Sequence, residues 1–304
     1  MNDSDHGCTV INPECLRQWP LPMPDREGDK EERGRLLVLA GSHEMPGTVV
    51  MAADAAFRAG AGKVTIATCA SIAGGVALAV PEARVIGLPE TGSGGISAGG
   101  VDALKNLGAP DAVLVGPGME DEDETCKLAA IAGSVFPEAA FILDAYAMGV
   151  VTQPGHAFEN RALVTPHAGE MAHLSQFHKE RVLADPRVAA MEAARRWRTV
   201  VALKGAVTHI ATAAGTTWRH EAGNVGLAIS GSGDVLAGII GGLAARGASL
   251  DQAAAWGVSL HARAGERLAA RYGTLGYLAR DLAAEVPGLM QALGPKPGNT
   301  PLAG

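Results

Sequence analysis

The chain has 304 residues, a length that permits one large domain or two small ones. Glycine accounts for 40 residues and proline for 17, which together stay below the share that is typical of low-complexity chains. Hydrophobic residues make up 47%, enough for a sizeable core, so disordered, collagen-like and disulfide-stabilised classes are excluded. The formal net charge of -7 argues against a nucleic-acid partner, because binding a phosphate backbone requires a basic face.

Cysteine usage and the apolar runs indicate the compartment. Four cysteines are scattered along the chain: Cys8, Cys15, Cys69 and Cys126. They form no CxxC pair, so we predict no metal site built from protein ligands and expect a reducing, cytoplasmic environment. No basic region precedes an apolar stretch at the start, and we expect no secretory leader. The longest apolar runs, Ser71–Val80 and Val235–Ala245, are too short to span a membrane, so we expect no membrane association.

The predicted elements begin after a polar, proline-containing stretch. We expect residues 1–33 to form an extension partly packed on the domain, residues 34–290 to form that domain, and residues 291–304 to form a flexible tail. Apolar runs without polar alternation are typical of strands covered on both faces. Seven such runs predict strands: Arg35–Ala40, Lys63–Ala67, Arg84–Leu88, Ala112–Gly116, Ala140–Asp144, Ala162–Thr165 and Thr199–Lys204.

Alanine-rich stretches at helical spacing alternate with these strands. Thr48–Arg58 is the first, with its apolar side chains on one face. Val207–Ala211 and Thr216–His220 flank a short turn and predict an antiparallel hairpin. From residue 232 to about residue 290 the pattern predicts helices. The alternation predicts an α/β protein, a three-layer αβα sandwich with a mostly parallel central sheet.

Glycines cluster where the predicted strands end. Gly41 follows the first strand, Gly116 and Gly118 follow the fourth, and Gly47 precedes the first helix. In open α/β sheets this edge is where ligands bind, and glycine lets the backbone approach a ligand closely. The alternative for each of these glycines is an ordinary tight turn. P-loop and GxGxxG motifs are absent from the sequence, and no GxSxG elbow directly follows a predicted strand.

A glycine-rich turn runs into an apolar helix at Gly231, Ser232, Gly233 and Asp234. Free amides at a helix start, together with the positive end of the helix dipole, form a ready anion site. Asp234 could act there as a base toward a substrate hydroxyl beside a bound phosphate. Aspartate is also favoured near helix starts by capping and by the dipole alone, so both interpretations remain open.

Two further strand ends carry polar side chains. Lys204 ends a buried strand before Gly205, where its ammonium could contact phosphates; the alternative is a lysine whose head reaches solvent. Thr165 or His167 can cap the helix that follows the sixth strand, and Glu170 occupies the position of a capping glutamate. Capping and a role in binding are compatible at these residues.

Several of these segments stand in a fixed order: Ala40-Gly-Ser-His-Glu-Met-Pro-Gly47, Arg58-Ala-Gly-Ala-Gly-Lys-Val-Thr65, Val115-Gly-Pro-Gly-Met119, Leu143-Asp-Ala145, Thr165-Pro-His-Ala-Gly-Glu170, Leu203-Lys-Gly205 and Ser230-Gly-Ser-Gly-Asp-Val-Leu-Ala-Gly238. The ordered set resembles the ADP/ATP-dependent NAD(P)H-hydrate dehydratase family of the ribokinase-like superfamily. It covers about residues 10–290. Many members also carry an N-terminal epimerase domain, and we expect the monofunctional form without it.

The resemblance implies a ribokinase-like fold and a metabolite-repair lyase. Such an enzyme dehydrates (6S)-NADHX and NADPHX to NADH and NADPH, with ADP or ATP as co-substrate and Mg²⁺ accompanying the nucleotide. The C6 hydroxyl of the hydrated ring would be phosphorylated, and phosphate would then be eliminated. Similarity to the family also suggests a homo-oligomer such as a tetramer.

The resemblance also implies roles for individual residues. Asp234 would be the base that activates the hydroxyl, in contact with the substrate. The amides of Gly231, Ser232 and Gly233 would stabilise the transferring phosphoryl group. The adenine-nucleotide positions would be Lys204, Gly205, Ala206, Val207, Thr208 and Gly233. The positions for the hydrated dinucleotide would be Gly47, Thr48, Gly118 and His167.

One segment departs from the family pattern. The family usually continues the fifth strand as Asp-Ala-Asp-Ala-Leu-Asn, whereas this chain has Asp144-Ala-Tyr146-Ala-Met148-Gly149. The simple alternative for Tyr146 is packing. Two other functions therefore stay open: a small-molecule kinase of the hydroxyethylthiazole or sugar type, and an inert nucleotide-binding sensor. Residues 40–47 and 165–170 fit the dehydratase family better than the kinases.

Overall fold

A computed structural model describes residues 7–24 and 33–294. Its strands are β1 (Cys8–Val10), β2 (Arg35–Leu39), β3 (Lys63–Cys69), β4 (Arg84–Leu88), β5 (Ala112–Val115), β6 (Ala140–Leu143), β7 (Ala162–Val164), β8 (Val200–Leu203), β9 (Thr208–Ala211) and β10 (Thr217–His220). They form one sheet in the order β1-β10-β9-β8-β7-β6-β5-β2-β3-β4. The pairs β8–β9 and β9–β10 are antiparallel and the other neighbours are parallel, which confirms the mostly parallel sheet.

The helices are α1 (Pro13–Gln18), α2 (Pro46–Arg58), α3 (Ala70–Ala79), α4 (Glu122–Val135), α5 (Ala168–Ser175), α6 (Lys179–Ala184), α7 (Pro186–Trp197), α8 (Ser232–Ala245), α9 (Leu250–Tyr272) and α10 (Ala279–Leu293). Short 3-10 segments lie at Ala98–Asn106, Ala145–Thr152 and Val225–Leu227. The helical run predicted from residue 232 consists of α8, α9 and α10. None of the helices in the described ranges combines the length and the apolarity needed to cross a bilayer.

The sheet separates two hydrophobic cores. Leu36 and Val38 of β2 face the core that contains α2, α8, α9 and α10. Leu37 and Leu39 face the opposite core, which contains α4 and α7. Successive residues of a strand point to opposite faces, so a strand with helices on both faces is apolar throughout. The predicted three-layer αβα sandwich is confirmed.

Residues 7–24 pack against the end of the sheet that carries β10. β1 pairs with β10, with Cys8 opposite Thr217. The Trp19 carbonyl accepts a 2.8 Å hydrogen bond from the indole of Trp256 on α9, and the Trp19 ring stacks on Trp218 at 5.6 Å. The expected extension also includes residues 1–6 and 25–32, and the expected tail includes residues 295–304; both sets lie outside the described residues.

Candidate active site

The carboxyl ends of β2, β5 and β6 come together at one edge of the sheet. A Cβ atom at Gly116, where φ is +124°, would collide with the carbonyl oxygen of Asp144. The Gly41 amide donates a 2.7 Å hydrogen bond to the carbonyl oxygen of Pro117. Glycine at 116 therefore permits a backbone contact that other residues would block, and this edge is closely packed.

The dinucleotide positions expected near β2 and β5 are neighbours in the structure. Gly118 has φ of +66°, and a Cβ atom there would collide with the Thr48 hydroxyl. That hydroxyl donates a 2.7 Å hydrogen bond to the carbonyl oxygen of Met45, just before α2 begins. Nothing lies within 4 Å of the position of a Cβ atom at Gly47. Gly47 and Gly118 thus lie beside the buried Thr48 at the start of α2, with open space at Gly47.

A charged cluster joins the ends of β6, β7 and β8. Asp144 is 5% exposed and accepts a 2.5 Å hydrogen bond from the Thr165 hydroxyl. The Lys204 ammonium lies 3.6 Å from Asp144 Oδ1 and 3.9 Å from Glu170 Oε2. The Lys204 side chain is 22% exposed, so it is held between two carboxylates rather than extended into solvent. Paired in this way, the buried carboxylate of Asp144 is stabilised by charge and by hydrogen bonding.

His167 is the cap of α5, as its position predicted. Its Nδ1 accepts hydrogen bonds from the amides of Gly169 and Glu170, at 3.0 and 3.1 Å. The Glu170 carboxylate accepts a 2.7 Å hydrogen bond from the His167 amide, which completes a capping box. Thr165, the other candidate cap, bonds to Asp144 instead. The half-exposed His167 ring also lines the large cleft described below.

The glycine-rich turn before α8 has the shape of an anion site. Gly231 has φ of +89°, and a Cβ atom there would lie 2.5 Å from Met51 Cε. The Ser232 amide donates to the carbonyl oxygen of Ile229 at 3.2 Å, so it is already engaged. Within residues 7–24 and 33–294, no group accepts a hydrogen bond from the amides of Gly231 and Gly233. These two amides, at the positive end of α8, are the donors that remain for an anion.

Asp234 lies in the first turn of α8 and is half-buried. The pKa of its carboxyl group is raised to about 7, first by burial and then by the nearby Asp144, while Lys204 opposes the shift. Among the described residues no amide donates a hydrogen bond to this carboxylate, which argues against the capping interpretation. A carboxylate with a pKa close to neutral is well suited to general base catalysis.

Lys204 and the start of α8 face each other. The ammonium of Lys204 lies 3.7 Å from the point where a side chain at Gly233 would begin. A negatively charged group at this point would meet the lysine, the free amides of the turn and the α8 dipole together. The structure thus brings Lys204, Gly233 and Asp234 to one place.

A cleft of about 1000 Å³ opens beside this point. Its wall includes five of the six expected nucleotide positions: Lys204, Gly205, Ala206, Thr208 and Gly233. Val207 is not part of the wall. Leu227, Leu236 and Val258 supply an apolar surface, so the cleft offers cationic and amide groups at one end and apolar groups elsewhere.

Sequence reasoning missed part of this site. The cleft is also lined by His220 at the end of β10 and by Asn224 in the loop that follows. His261 and Glu266 of α9 line it as well. These residues belong to a hairpin end and to a helix whose sequence gave no motif, and only the fold brings them to the turn before α8. Asp144 was noted at a strand end, but its effect on Asp234 depends on the spatial arrangement.

The carboxylates fit a magnesium ion that arrives with a nucleotide. The described residues contain no cluster of three or more His, Cys, Asp or Glu side chains that would form a metal cage. Magnesium in nucleotide enzymes is commonly held by one or two carboxylates together with phosphate oxygens and water. Glu170, whose side chain is partly exposed beside Lys204, is the group that would contribute here.

Comparison with known proteins gives consistent results. Residues 36–288 match the family model described as NAD(P)H-hydrate dehydratase. An ADP-dependent (S)-NAD(P)H-hydrate dehydratase of Xanthomonas campestris pv. campestris is 46% identical over 93% of this chain and 96% of its own length. The bifunctional NAD(P)H-hydrate repair enzyme of Moorella thermoacetica is 35% identical, and the match spans 52% of that relative.

The fold agrees with a solved structure of the same kind. The ADP/ATP-dependent NAD(P)H-hydrate dehydratase from Bacillus subtilis, co-crystallised with ATP/Mg²⁺, superposes with a TM-score of 0.82 at 27% identity. The match covers 95% of this chain and 99% of that one. The family model, the relatives and this superposition all cover the elements that form the cleft and the turn before α8. The chain therefore belongs to the NAD(P)H-hydrate dehydratase family.

Proposed function

We propose that this chain is a metabolite-repair lyase that dehydrates (6S)-NADHX and NADPHX to NADH and NADPH, with ADP or ATP as co-substrate. The observation that carries this proposal is the placement of Asp234. Its carboxyl group, with a pKa near 7, lies in the first turn of α8, beside two free amides and Lys204. This arrangement places a base for the hydroxyl and an anion site for the phosphoryl group next to each other.

The nucleotide would occupy the cleft. Lys204, Gly205, Ala206, Thr208 and Gly233 would contact it, whereas Val207, also expected from the sequence, lies outside the wall of the cleft. The phosphates would lie at the Lys204 end of the cleft, against the start of α8, and the base would lie against the apolar wall. Bound Mg²⁺, held by Glu170 and the phosphates, would neutralise charge on the phosphate oxygens.

The hydrated dinucleotide would bind beside Gly47, Thr48 and Gly118, with His167 as a further contact. Asp234 would take the proton of the C6 hydroxyl as that oxygen attacks the terminal phosphorus and the bond to the nucleotide breaks. The nitrogen lone pair of the ring would then expel phosphate from C6. Loss of a proton from the neighbouring ring carbon would restore the dihydronicotinamide.

The test is the return of reduced-nicotinamide absorbance when the protein is incubated with NADHX, Mg²⁺ and ADP or ATP. We expect recovery with nucleotide and none without it. Asp234→Asn should lower kcat by roughly 10²–10⁴-fold, the usual contribution of a general base. Asp54→Asn, which alters an exposed ion pair on α2, is the matched control and should behave as wild type.

Two other outcomes would replace the proposal. Accumulation of a phosphorylated alcohol instead of NADH would show a kinase of the same superfamily. A nucleotide-induced rise in melting temperature without any return of absorbance would show a nucleotide-binding sensor.

We also propose that the chain acts in the cytoplasm as a homo-oligomer such as a tetramer, with residues 34–290 as its domain. The four cysteines are free thiols, as expected in a reducing compartment. Val225 and Leu275 are largely exposed, and apolar side chains of this kind support a surface that another copy covers. Light scattering on the purified protein would measure the assembly.

A further inference from the structure

His261, on α9, makes two contacts with the first residue of α8. Its Nε2 lies 2.9 Å from Ser232 Oγ and 3.0 Å from the carbonyl oxygen of Ser232. A carbonyl oxygen can accept a hydrogen bond but cannot donate one, so Nε2 must carry a hydrogen in this arrangement. The imidazole therefore donates to both oxygens of Ser232. The Ser232 hydroxyl accepts from His261 and keeps its own hydrogen for another partner.

The surroundings keep this imidazole neutral. Burial lowers the pKa of His261 to about 4, with Lys204 acting in the same direction and the Ser232 carbonyl opposing it. A neutral imidazole carries one hydrogen, and the contact with the carbonyl oxygen places it on Nε2. Nδ1 is then an acceptor. The direction of the Ser232–His261 hydrogen bond is therefore fixed across the neutral pH range.

The hydroxyl hydrogen that Ser232 retains can be donated to an anion bound in the cleft. Ser232 is 5% exposed, and both Ser232 and His261 belong to the wall of the cleft beside Lys204 and Gly233. The Ser232 amide already donates to Ile229, so the backbone of this residue contributes nothing further to an anion. In the sequence, Ser232 stands between the two residues whose amides are free, Gly231 and Gly233.

We propose that the Ser232 hydroxyl is a third hydrogen-bond donor to the transferring phosphoryl group, and that His261 is the positioning residue that orients it. The inference rests on the proposed function. The sequence predicts that the amide of Ser232 acts in the anion site. In the proposed arrangement the hydroxyl of Ser232 acts there in place of that amide. His261 acts on the phosphoryl group only through Ser232.

The first test uses steady-state kinetics with NADHX and ADP or ATP. Ser232→Ala should lower kcat roughly 100-fold, as the loss of one donor to a transition-state oxyanion does, with little change in the KM for nucleotide. His261→Ala should lower kcat about tenfold, since the donor remains but is no longer oriented. His261→Gln retains an amide hydrogen near the position of Nε2, and its kcat should stay close to that of wild type.

The double variant separates positioning from general damage to the fold. If His261 acts through Ser232, adding His261→Ala to Ser232→Ala should cause no further loss, because the two effects are not additive. Ser259→Ala is the matched control, since Ser259 is a buried serine on α9 whose hydroxyl contacts Arg263 instead of α8. Additive losses, or a His261→Gln variant as slow as His261→Ala, would overturn the inference.

The second test does not depend on activity. Long-range ¹H–¹⁵N correlation spectra of the histidine-labelled full-length protein, compared with the His261→Gln variant, should show His261 as the Nε2–H tautomer at pH 7. An Nδ1–H tautomer would overturn the proposed orientation. If the wild type is active and the Ser232→Ala and His261→Ala variants are as active as the wild type, the inference is overturned and the proposed function stands. An inactive wild type would overturn the proposed function, and the proposed role of Ser232 with it.

Discussion

Asp144 sets the charge environment of the proposed base. It is buried, accepts a hydrogen bond from Thr165 and lies 3.6 Å from the Lys204 ammonium. Its negative charge raises the pKa of Asp234, whereas Lys204 lowers it. The two partners thus oppose each other, and burial keeps the resulting pKa near neutral.

Asp144→Asn should make the enzyme active at lower pH. Removing the negative charge lowers the pKa of Asp234, and releasing Lys204 from its ion pair acts in the same direction. Because the base must be ionised, the acidic limb of the kcat/KM profile should move down by roughly 0.5–1 pH unit. The pH profile measures this shift, with Asp54→Asn as the control that leaves the limb in place. An upward shift or an unmoved limb would contradict the electrostatic role of Asp144.

Site residues could be predicted from the sequence where a local motif, such as a glycine at a strand end, indicated them. Lys204 and Asp234 stand beside glycines at a strand end and a helix start, and the structure brings them together. His261 could not be found in this way, because 29 residues separate it from Ser232. Tyr146 is 46% exposed and belongs to neither core. No local pattern indicates whether the side chain that follows a strand turns inward or outward.

At the scale of elements, α8 is held close to α2 by small residues. A Cβ atom at Gly238 would lie 2.9 Å from Ala52 Cα, and one at Gly242 would lie 2.9 Å from Ala56 Cα. Both contacts involve backbone atoms, which cannot rotate away as a side chain can. The close approach of the two helices fixes α8, and with it the turn that carries Asp234.

Gly238→Ala and Gly242→Ala should therefore each destabilise the protein by about 1–3 kcal/mol through overpacking. Gly241→Ala is the matched control in the same helix, because its Cβ atom would lie 3.4 Å from a Leu36 methyl group, an ordinary contact. Its higher helix propensity should stabilise the protein by up to about 1 kcal/mol. Urea unfolding measures all three variants. Equal effects at the three positions would show that packing against α2 is unimportant.

The elements of the sheet were largely predictable because burial on both faces makes strands continuously apolar. All seven predicted parallel strands are present, with ends that differ by one or two residues, and the predicted hairpin is β9–β10. β1 was not predicted, because three residues in a polar stretch give no pattern. The 3-10 segment at Ala145–Thr152 was missed as well, since it is apolar without helical periodicity.

For the whole molecule, the early segment is part of the packed structure. Leu16 of α1 is 0% exposed and belongs to the core beneath α9 and α10. The carbonyl of Trp19 accepts hydrogen bonds from Gln252 and Trp256, and Arg246 donates to the carbonyl of Pro22. These contacts attach residues 7–24 to the helices that end the chain.

Leu16→Ala should cost about 2–5 kcal/mol of unfolding free energy, the usual cost of truncating a buried leucine. Val10→Ala in the neighbouring strand β1 is the control, because Val10 is 42% exposed and should change stability by about 0.5 kcal/mol or less. Urea denaturation followed by tryptophan fluorescence measures both variants. A Leu16 variant as stable as the Val10 variant would show that the segment is dispensable for the fold.

The pairing of β1 with β10 has a consequence for synthesis. Cys8 lies opposite Thr217, so β1 has no partner until the distant strand β10 has been translated. The glycine-rich turn before α8 and the α9 residues that line the cleft are translated later still. Since domains fold as units and distant pairings form slowly, the nascent chain must hold an unpaired strand while it waits. The catalytic apparatus is therefore completed only after β10, once α8 and α9 have been translated.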